Sequence, residues 1–209
     1  PVLCGGSGLY IEAVLKNYQL LSVPVNEELR GSLKDKPLEE LAAILATYKL
    51  MHNKSDLDTV KRAIRAIEIA EYQKNHISDN PNRPEINSLI IGIDFEREIV
   101  RKRITERLQQ RLKEGMIDEV KALLNKGLAS EDLIYYGLEY KYITLYLIGQ
   151  LTYDEMVTQL NIAIHQFSKR QMTWFRKMER SGFKIHWVDG RFDMNKKLNF
   201  IFEKLYQSL

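Results

Sequence analysis

The stretch Pro1–Leu15, PVLCGGSGLYIEAVL, decides how the rest of the chain reads. A short apolar run, a Gly-Gly-Ser turn and a helix-patterned segment give strand, tight turn and helix. Such a unit belongs inside a parallel α/β sheet, because a parallel strand needs neighbouring strands and covering helices. Nothing precedes it and the chain has no initiator Met, so the 209 residues are expected to be an internal or C-terminal piece of a larger protein. Part of the chemistry is then expected outside them.

Outward from this unit, a helix is expected over about residues 8–17, where Leu9, Tyr10, Ala13 and Val14 share one face. Pro24 breaks that pattern, and Asn26 can cap a helix whose first turn carries Glu27 and Glu28. A second short helix follows Pro37, with Leu38, Leu41, Ala42 and Leu45 inward, and a third runs from about Asp58 to Gln73. The segment KNHISDNPNRPEINS (74–88) reads as an exposed loop. LIIGIDF (89–95) is an uninterrupted apolar run and reads as a buried parallel strand.

Residues 19–88 therefore read as a helical insertion between two strands of one sheet, and residues 1–18 with 89–209 as an α/β core. Helices are expected over 96–113, 116–126, 138–148 and 152–179, then a strand FKIHWVD (183–189) and a closing helix over 193–207. The fold class is helix-rich α/β.

Composition sets bounds. Hydrophobic residues at 44% and charged residues at 28% are those of a folded protein, and the net charge of +3 admits nucleic acid without requiring it. The single cysteine, Cys4, excludes an intrachain disulfide framework and fits a reducing, cytoplasmic setting. His52, His76, His165 and His186 lack metal-ligand spacing, so no metal-binding residue is expected among them. No signal-peptide pattern or bilayer-length apolar run is present, so no membrane partner is expected.

Five constellations can carry chemistry. Gly5 and Gly6 let a backbone approach a ligand closely and Ser7 offers a hydroxyl at a helix start, although a plain Ser-capped turn is the simpler reading. The Walker A spacing is not met. Arg103, Arg107 and Arg111 share one helix face after a parallel strand, where a guanidinium suits a pyrophosphate; a solvated stripe is the simpler reading. Lys61, Arg62 and Arg65 form a basic edge fit for phosphate backbones or for water. His165, Lys169, Arg170, Arg176, Lys177 and Arg180 are interleaved with Phe167, Trp174 and Phe175, as on RNA-facing surfaces, although Trp174 and Phe175 fit a core equally. Tyr135, Tyr136, Tyr140 and Tyr142 either stack bases or pack, and packing is the simpler expectation.

Their order is more specific than any of them alone. GGSGLY (5–10), KRAIRAIEI (61–69), GIDF (92–95), RITER (103–107), EGMIDEVKALL (114–124), YYGLEYKY (135–142) and KRQMTWFRK (169–177) together resemble the tRNA dimethylallyltransferase (isopentenyl-pyrophosphate transferase) family. The resemblance covers essentially the whole chain. It implies a partial P-loop-kinase-like parallel sheet core with a helical, tRNA-binding insertion. It also implies transfer of a dimethylallyl group from dimethylallyl diphosphate to N6 of the adenosine 3′ to the anticodon. A phosphate loop, a catalytic aspartate and the main Mg²⁺ ligands are expected before Pro1, so the chain alone is expected to be inactive.

Residue by residue, the resemblance puts Ser7, where Thr is usual, in the wall of the reaction channel, with Gly5 and Gly6 beside it. It implies that Arg107 stabilises the departing pyrophosphate, with Arg103 near. For the tRNA anticodon stem-loop it implies Arg30, Lys61, Arg62, Arg65, Tyr140, Lys141, His165, Gln166, Lys169 and Arg170, while Gln171 also matches the family. Glu139 replaces a usual Gly, Tyr136 stands where some relatives are basic, and His165 stands where Arg is common. A monomer is expected. The competing classes are a non-catalytic module that binds structured RNA and, ranked last, a P-loop small-molecule kinase.

Overall fold

The computed structural model describes residues 1–18, 22–48, 55–76 and 86–208. In chain order the elements are α1 (Gly8–Leu15), α2 (Glu27–Leu33), α3 (Leu38–Tyr48), a 3₁₀ turn (Ser55–Leu57), α4 (Val60–His76), β1 (Ile90–Asp94) and α5 (Arg97–Lys113). There follow α6 (Met116–Asn125), α7 (Ser130–Tyr136), α8 (Leu138–Leu147), α9 (Tyr153–Arg180), β2 (Ile185–Asp189) and α10 (Met194–Ser208). The chain divides into two compact units, residues 1–15 with 87–209, and residues 16–86.

In the unit of residues 16–86, α2 starts where Asn26 accepts the Leu29 backbone N–H on its side chain, 3.0 Å away, satisfying one of the free donors of a helix N-terminus. Its core is Leu33 from α2, Leu41 and Leu45 from α3, and Ala63, Ile64, Ala66, Ile67 and Ala70 from α4. Three alanines on α4 let α3 approach closely, and the leucines fill the space between. Of the expected loop over 74–88, residues 74–76 continue α4, and residues 77–85 lie outside the described residues.

In the other unit, β1 and β2 pair in parallel, Ile90 opposite Ile185 through Asp94 opposite Asp189, with α5–α9 forming the crossover. Leu108, Met116, Val120, Leu133, Ile143, Met156 and Leu160 make one core from α5, α6, α7, α8 and α9. Each large side chain there contributes about 1.5–3 kcal/mol by burial. The long α9 begins with a capping box: Thr152 and Glu155 each take the other's backbone N–H, which also holds the Glu155 carboxyl below its ordinary range.

Four expectations need correction. Residues 1–5 are exposed and form no strand, because the described sheet consists of β1 and β2 and neither pairs with them. The β1 run is half-buried to exposed rather than buried, Ile93 being 49% exposed. The face of α1 expected to be inward (Leu9, Tyr10, Val14) is outward, and α1 buries Gly8 and Glu12 instead. Finally, Ser130–Tyr136 is a further helix, α7, where no element was expected.

Candidate active-site turn, arginine cavity and basic surfaces

The turn before α1 is held by α9. The Gln171 side-chain amide donates to the Gly6 carbonyl at 3.0 Å. Trp174 lies so close to Gly8 that a Cβ there would sit 2.4 Å from the indole, so only glycine fits. Lys177, stacked 4.5 Å over Trp174, brings its ammonium to 3.7 Å from the buried Glu12 carboxylate. Gln171, Trp174 and Lys177 recur every third residue, the spacing of one helix face. Ser7, between the two clamped glycines, is exposed, and its carbonyl accepts the first α1 hydrogen bonds from Tyr10 and Ile11 at 3.0 and 3.2 Å.

At the C-terminal ends of the strands, the Arg103 guanidinium lies 4.6 Å from the Phe95 ring centroid, a cation–π contact. The Gly190 N–H donates to the Asp94 carbonyl at 2.6 Å, and Arg191 bridges Glu96 (2.5 Å) and Asp189 (2.8 Å). Hydrogen bonding by Arg191 holds the Asp189 carboxyl below its usual range.

One turn further along α5, Arg107 and Arg111 line a cavity of about 200 Å³ with Glu119, Glu139 and Tyr140, floored by Leu108, Met116 and Val120. Glu119 takes the Tyr140 hydroxyl at 2.8 Å and Arg111 at 3.3 Å. Accepting that bond, the Glu119 carboxylate raises the Tyr140 pKa, so the phenol keeps its proton and stays a donor. Arg107 has no ion pair or hydrogen bond through its side chain among the described residues. An uncommitted guanidinium beside a small cavity is equipped to take an anion.

The basic residues of residues 16–86 are not equivalent. Arg30 makes a bidentate pair with the buried Glu68 (3.0 and 3.0 Å). Arg65 bonds the same carboxylate and, at 2.9 Å, the Val23 carbonyl. The Asn26 backbone N–H completes the set at 2.7 Å. Burial pushes the Glu68 carboxyl upward, but the bonds from Arg30, Asn26 and Arg65 outweigh it and hold the group down at about 2. Arg62 pairs with Asp58 at 2.7 Å on the surface, while Lys61 is exposed and unpaired among the described residues.

On α9, Thr105 from α5 pins His165 (3.2 Å) and Asn161 (3.2 Å). Gln166, Lys169 and Arg170 are exposed, with Arg170 5.8 Å from the exposed Phe167 ring.

Residues 1–178 match the family described as IPP transferase. The chain belongs to the IPP transferase family. It is 62% identical over 205 residues to tRNA dimethylallyltransferase 2 of Bacteroides fragilis, covering 98% of this chain and 67% of that protein. It is 58% identical to tRNA dimethylallyltransferase 1 of Porphyromonas gingivalis, covering 99% and 68%. Among solved structures it is similar to the tRNA isopentenylpyrophosphate transferase of Bacillus halodurans, at 28% identity and TM-score 0.58, covering 96% of this chain and 65% of that one. The chain thus spans about two thirds of the length of these relatives.

Seen as an IPP transferase chain, the molecule assembles some expected residues and separates others. Arg107 and Tyr140 share the cavity, and Lys141 follows on α8 with its ammonium 5.4 Å from the Tyr142 ring. Arg103 is turned to Phe95 instead. A Cβ added at Gly5 would meet nothing within 4 Å among the described residues, so no close approach there requires glycine. Sequence reasoning missed Glu12, Glu68, Glu119 and Arg191, all of which act through partners distant in sequence. It also expected the tyrosines to pack, whereas Tyr135 and Tyr136 are 93% and 78% exposed. Among the described residues no group of three or more His, Cys, Asp or Glu side chains is placed to hold a metal ion. None of the described helices is long and apolar enough to cross a membrane.

Proposed function

We propose that the protein of this chain transfers a dimethylallyl group from dimethylallyl diphosphate to N6 of the adenosine 3′ to the anticodon in tRNA. The observation that carries this reading is the match of residues 1–178 to the IPP transferase family, with relatives bearing the name tRNA dimethylallyltransferase at about 60% identity. In the reaction the adenine N6–C1 bond forms and the C1–O bond breaks. Pyrophosphate leaves with the electron pair, and N6 gives up a proton. An adenine inside an anticodon loop is stacked, so it must be extruded before alkylation.

The family resemblance, with the geometry beside it, supports the following roles. Arg107, unpaired among the described residues at the cavity, stabilises charge growing on the pyrophosphate. The exposed Ser7 hydroxyl faces the acceptor base. Lys61, Arg62, Lys141, Gln166, Lys169 and Arg170 grip the tRNA backbone by salt-sensitive contacts. Arg30 and Arg65, held by Glu68, order the unit that carries Lys61 and Arg62, and His165 contributes with what Thr105 leaves free. The exposed Tyr135 and Tyr136 rings offer stacking faces to unpaired bases.

The test is direct: the complete gene product, incubated with tRNA and labelled dimethylallyl diphosphate, is expected to yield one prenylated adenosine next to the anticodon. Salt-sensitive tRNA binding without any product would favour the non-catalytic RNA-binding module instead.

A further inference from the structure

We infer that Gln171 is a positioning residue for Ser7, acting from α9 on the turn rather than on RNA; the inference rests on the function proposed above. Gln171 lies in KRQMTWFRK, directly after two exposed basic residues, which by sequence alone groups it with a nucleic-acid surface. Its side chain does something else. The amide donates to the carbonyl of Gly6, the residue immediately before Ser7, across 165 positions of sequence. A Cβ on Gly6 would sit 2.6 Å from that amide nitrogen, so the turn is built around it.

The same helix face holds the other flank of Ser7. Trp174 occupies the space a Gly8 side chain would need, and Lys177 reaches the buried Glu12 one turn into α1. Ser7 is thus the one exposed residue in a backbone segment fixed on both sides. A hydroxyl that meets a reacting base must be placed to a fraction of an ångström, and among the described residues the exposed Ser7 side chain has no hydrogen-bond partner that could do this. The Gln171 bond fixes the peptide that carries it.

The experiment measures the complete enzyme with tRNA and dimethylallyl diphosphate. Gln171→Met removes the donor at nearly constant volume. It should lower kcat about tenfold while tRNA Kd stays within about twofold. Combined with Ser7→Ala, it should cost nothing beyond Ser7→Ala alone, because a missing hydroxyl cannot be mispositioned. Gln171→Glu provides the second readout. As a carboxylate it cannot donate to the Gly6 carbonyl, whereas the protonated acid can. Its rate relative to wild type should therefore climb as pH falls from about 7 to about 4.5, close to the ordinary carboxyl pKa of about 4.3.

Losses that multiply with Ser7→Ala, or a loss of tRNA affinity with kcat intact, would overturn the inference. So would a flat relative pH profile, or failure of both variants to fold, which would assign Gln171 to folding alone. A wild-type enzyme that forms no prenylated tRNA would instead sink the parent reading, and this is seen before any variant is made.

Discussion

Two glutamates, each held by arginine, divide the molecule by purpose. Glu68 in α4 is buried, and among the described residues every bond it accepts comes from residues 26, 30 and 65 of its own unit. Glu119 in α6 is exposed at a cavity rim, held by one arginine and a tyrosine, with a second arginine left unengaged among the described residues. Around Glu68 the arginine charge is consumed in folding. Around Glu119 the carboxylate takes up Arg111 and leaves Arg107 for a ligand. Basic residues that look alike in a sequence thus differ in whether a carboxylate already owns them.

The largest expected effect breaks the first half of this comparison. Glu68→Ala leaves the Asn26 N–H and the inner donors of two guanidiniums without their acceptor. The cost should be on the order of 3 kcal/mol, lessened by the solvent exposure of both arginines. Denaturant unfolding monitored on residues 16–86 checks it. The pH dependence has a defined sign: the folded-state pKa is about 2, below the ordinary 4.5. The stabilisation is therefore complete above about pH 4.5 and is lost as pH falls through 2. Glu68→Gln should flatten that acid limb. An unchanged acid limb would remove Glu68 from its structural role.

Next in size is the catalytic half. Arg107→Ala is expected to lower turnover at least tenfold, a loss above ~1.4 kcal/mol of transition-state stabilisation, with unfolding free energy within about 0.5 kcal/mol of wild type. Unchanged steady-state kinetics would refute its role. If Arg107→Ala instead unfolded the protein as Glu68→Ala does, the distinction between the two arginine settings would fail. Smaller than both is Tyr140→Phe, which removes one hydrogen bond to Glu119 and should cost about 1 kcal/mol or less in stability. A simultaneous fall in kcat would show that Glu119 must be fully engaged to leave Arg107 free.

How far the sequence carries depends on whether a partner is local. Helices α2 to α6 and α8 to α10 were legible because their signals sit within a turn or two: Asn26 before Glu27, the alanine and isoleucine stripe of α4, and Thr152 three residues before Glu155. The inward face of α1 was not legible, since its buried residue is a charge, Glu12, whose partner is 165 positions away. Helix α7 was not legible because its seven residues are too few for a helical period to show. In the site, Arg107 was singled out by the family resemblance rather than by its spacing on α5, and the commitment of Arg30 to Glu68 and of Arg65 to the Val23 carbonyl was not legible. Those bonds require α2 and the chain before it to be folded against α4 first. Local periodicity carries the elements, and long-range pairing decides which charges stay available.

The smallest expected effect is the finest test of the comparison, because it sits within one helix. Lys61 and Arg65 are neighbours on α4 and equally cationic, yet Lys61 is exposed without a partner among the described residues while Arg65 holds Glu68 and the Val23 carbonyl. Lys61→Ala should leave unfolding unchanged and weaken tRNA binding by less than tenfold, reducing the slope of log affinity against log salt by about one. Arg65→Ala should do the reverse, costing stability first and affinity only in proportion to the fraction unfolded. Equal changes in salt slope for both variants would mean that Arg65 contacts phosphate despite its internal bonds. Ownership by a buried carboxylate would then not be what removes an arginine from the RNA surface.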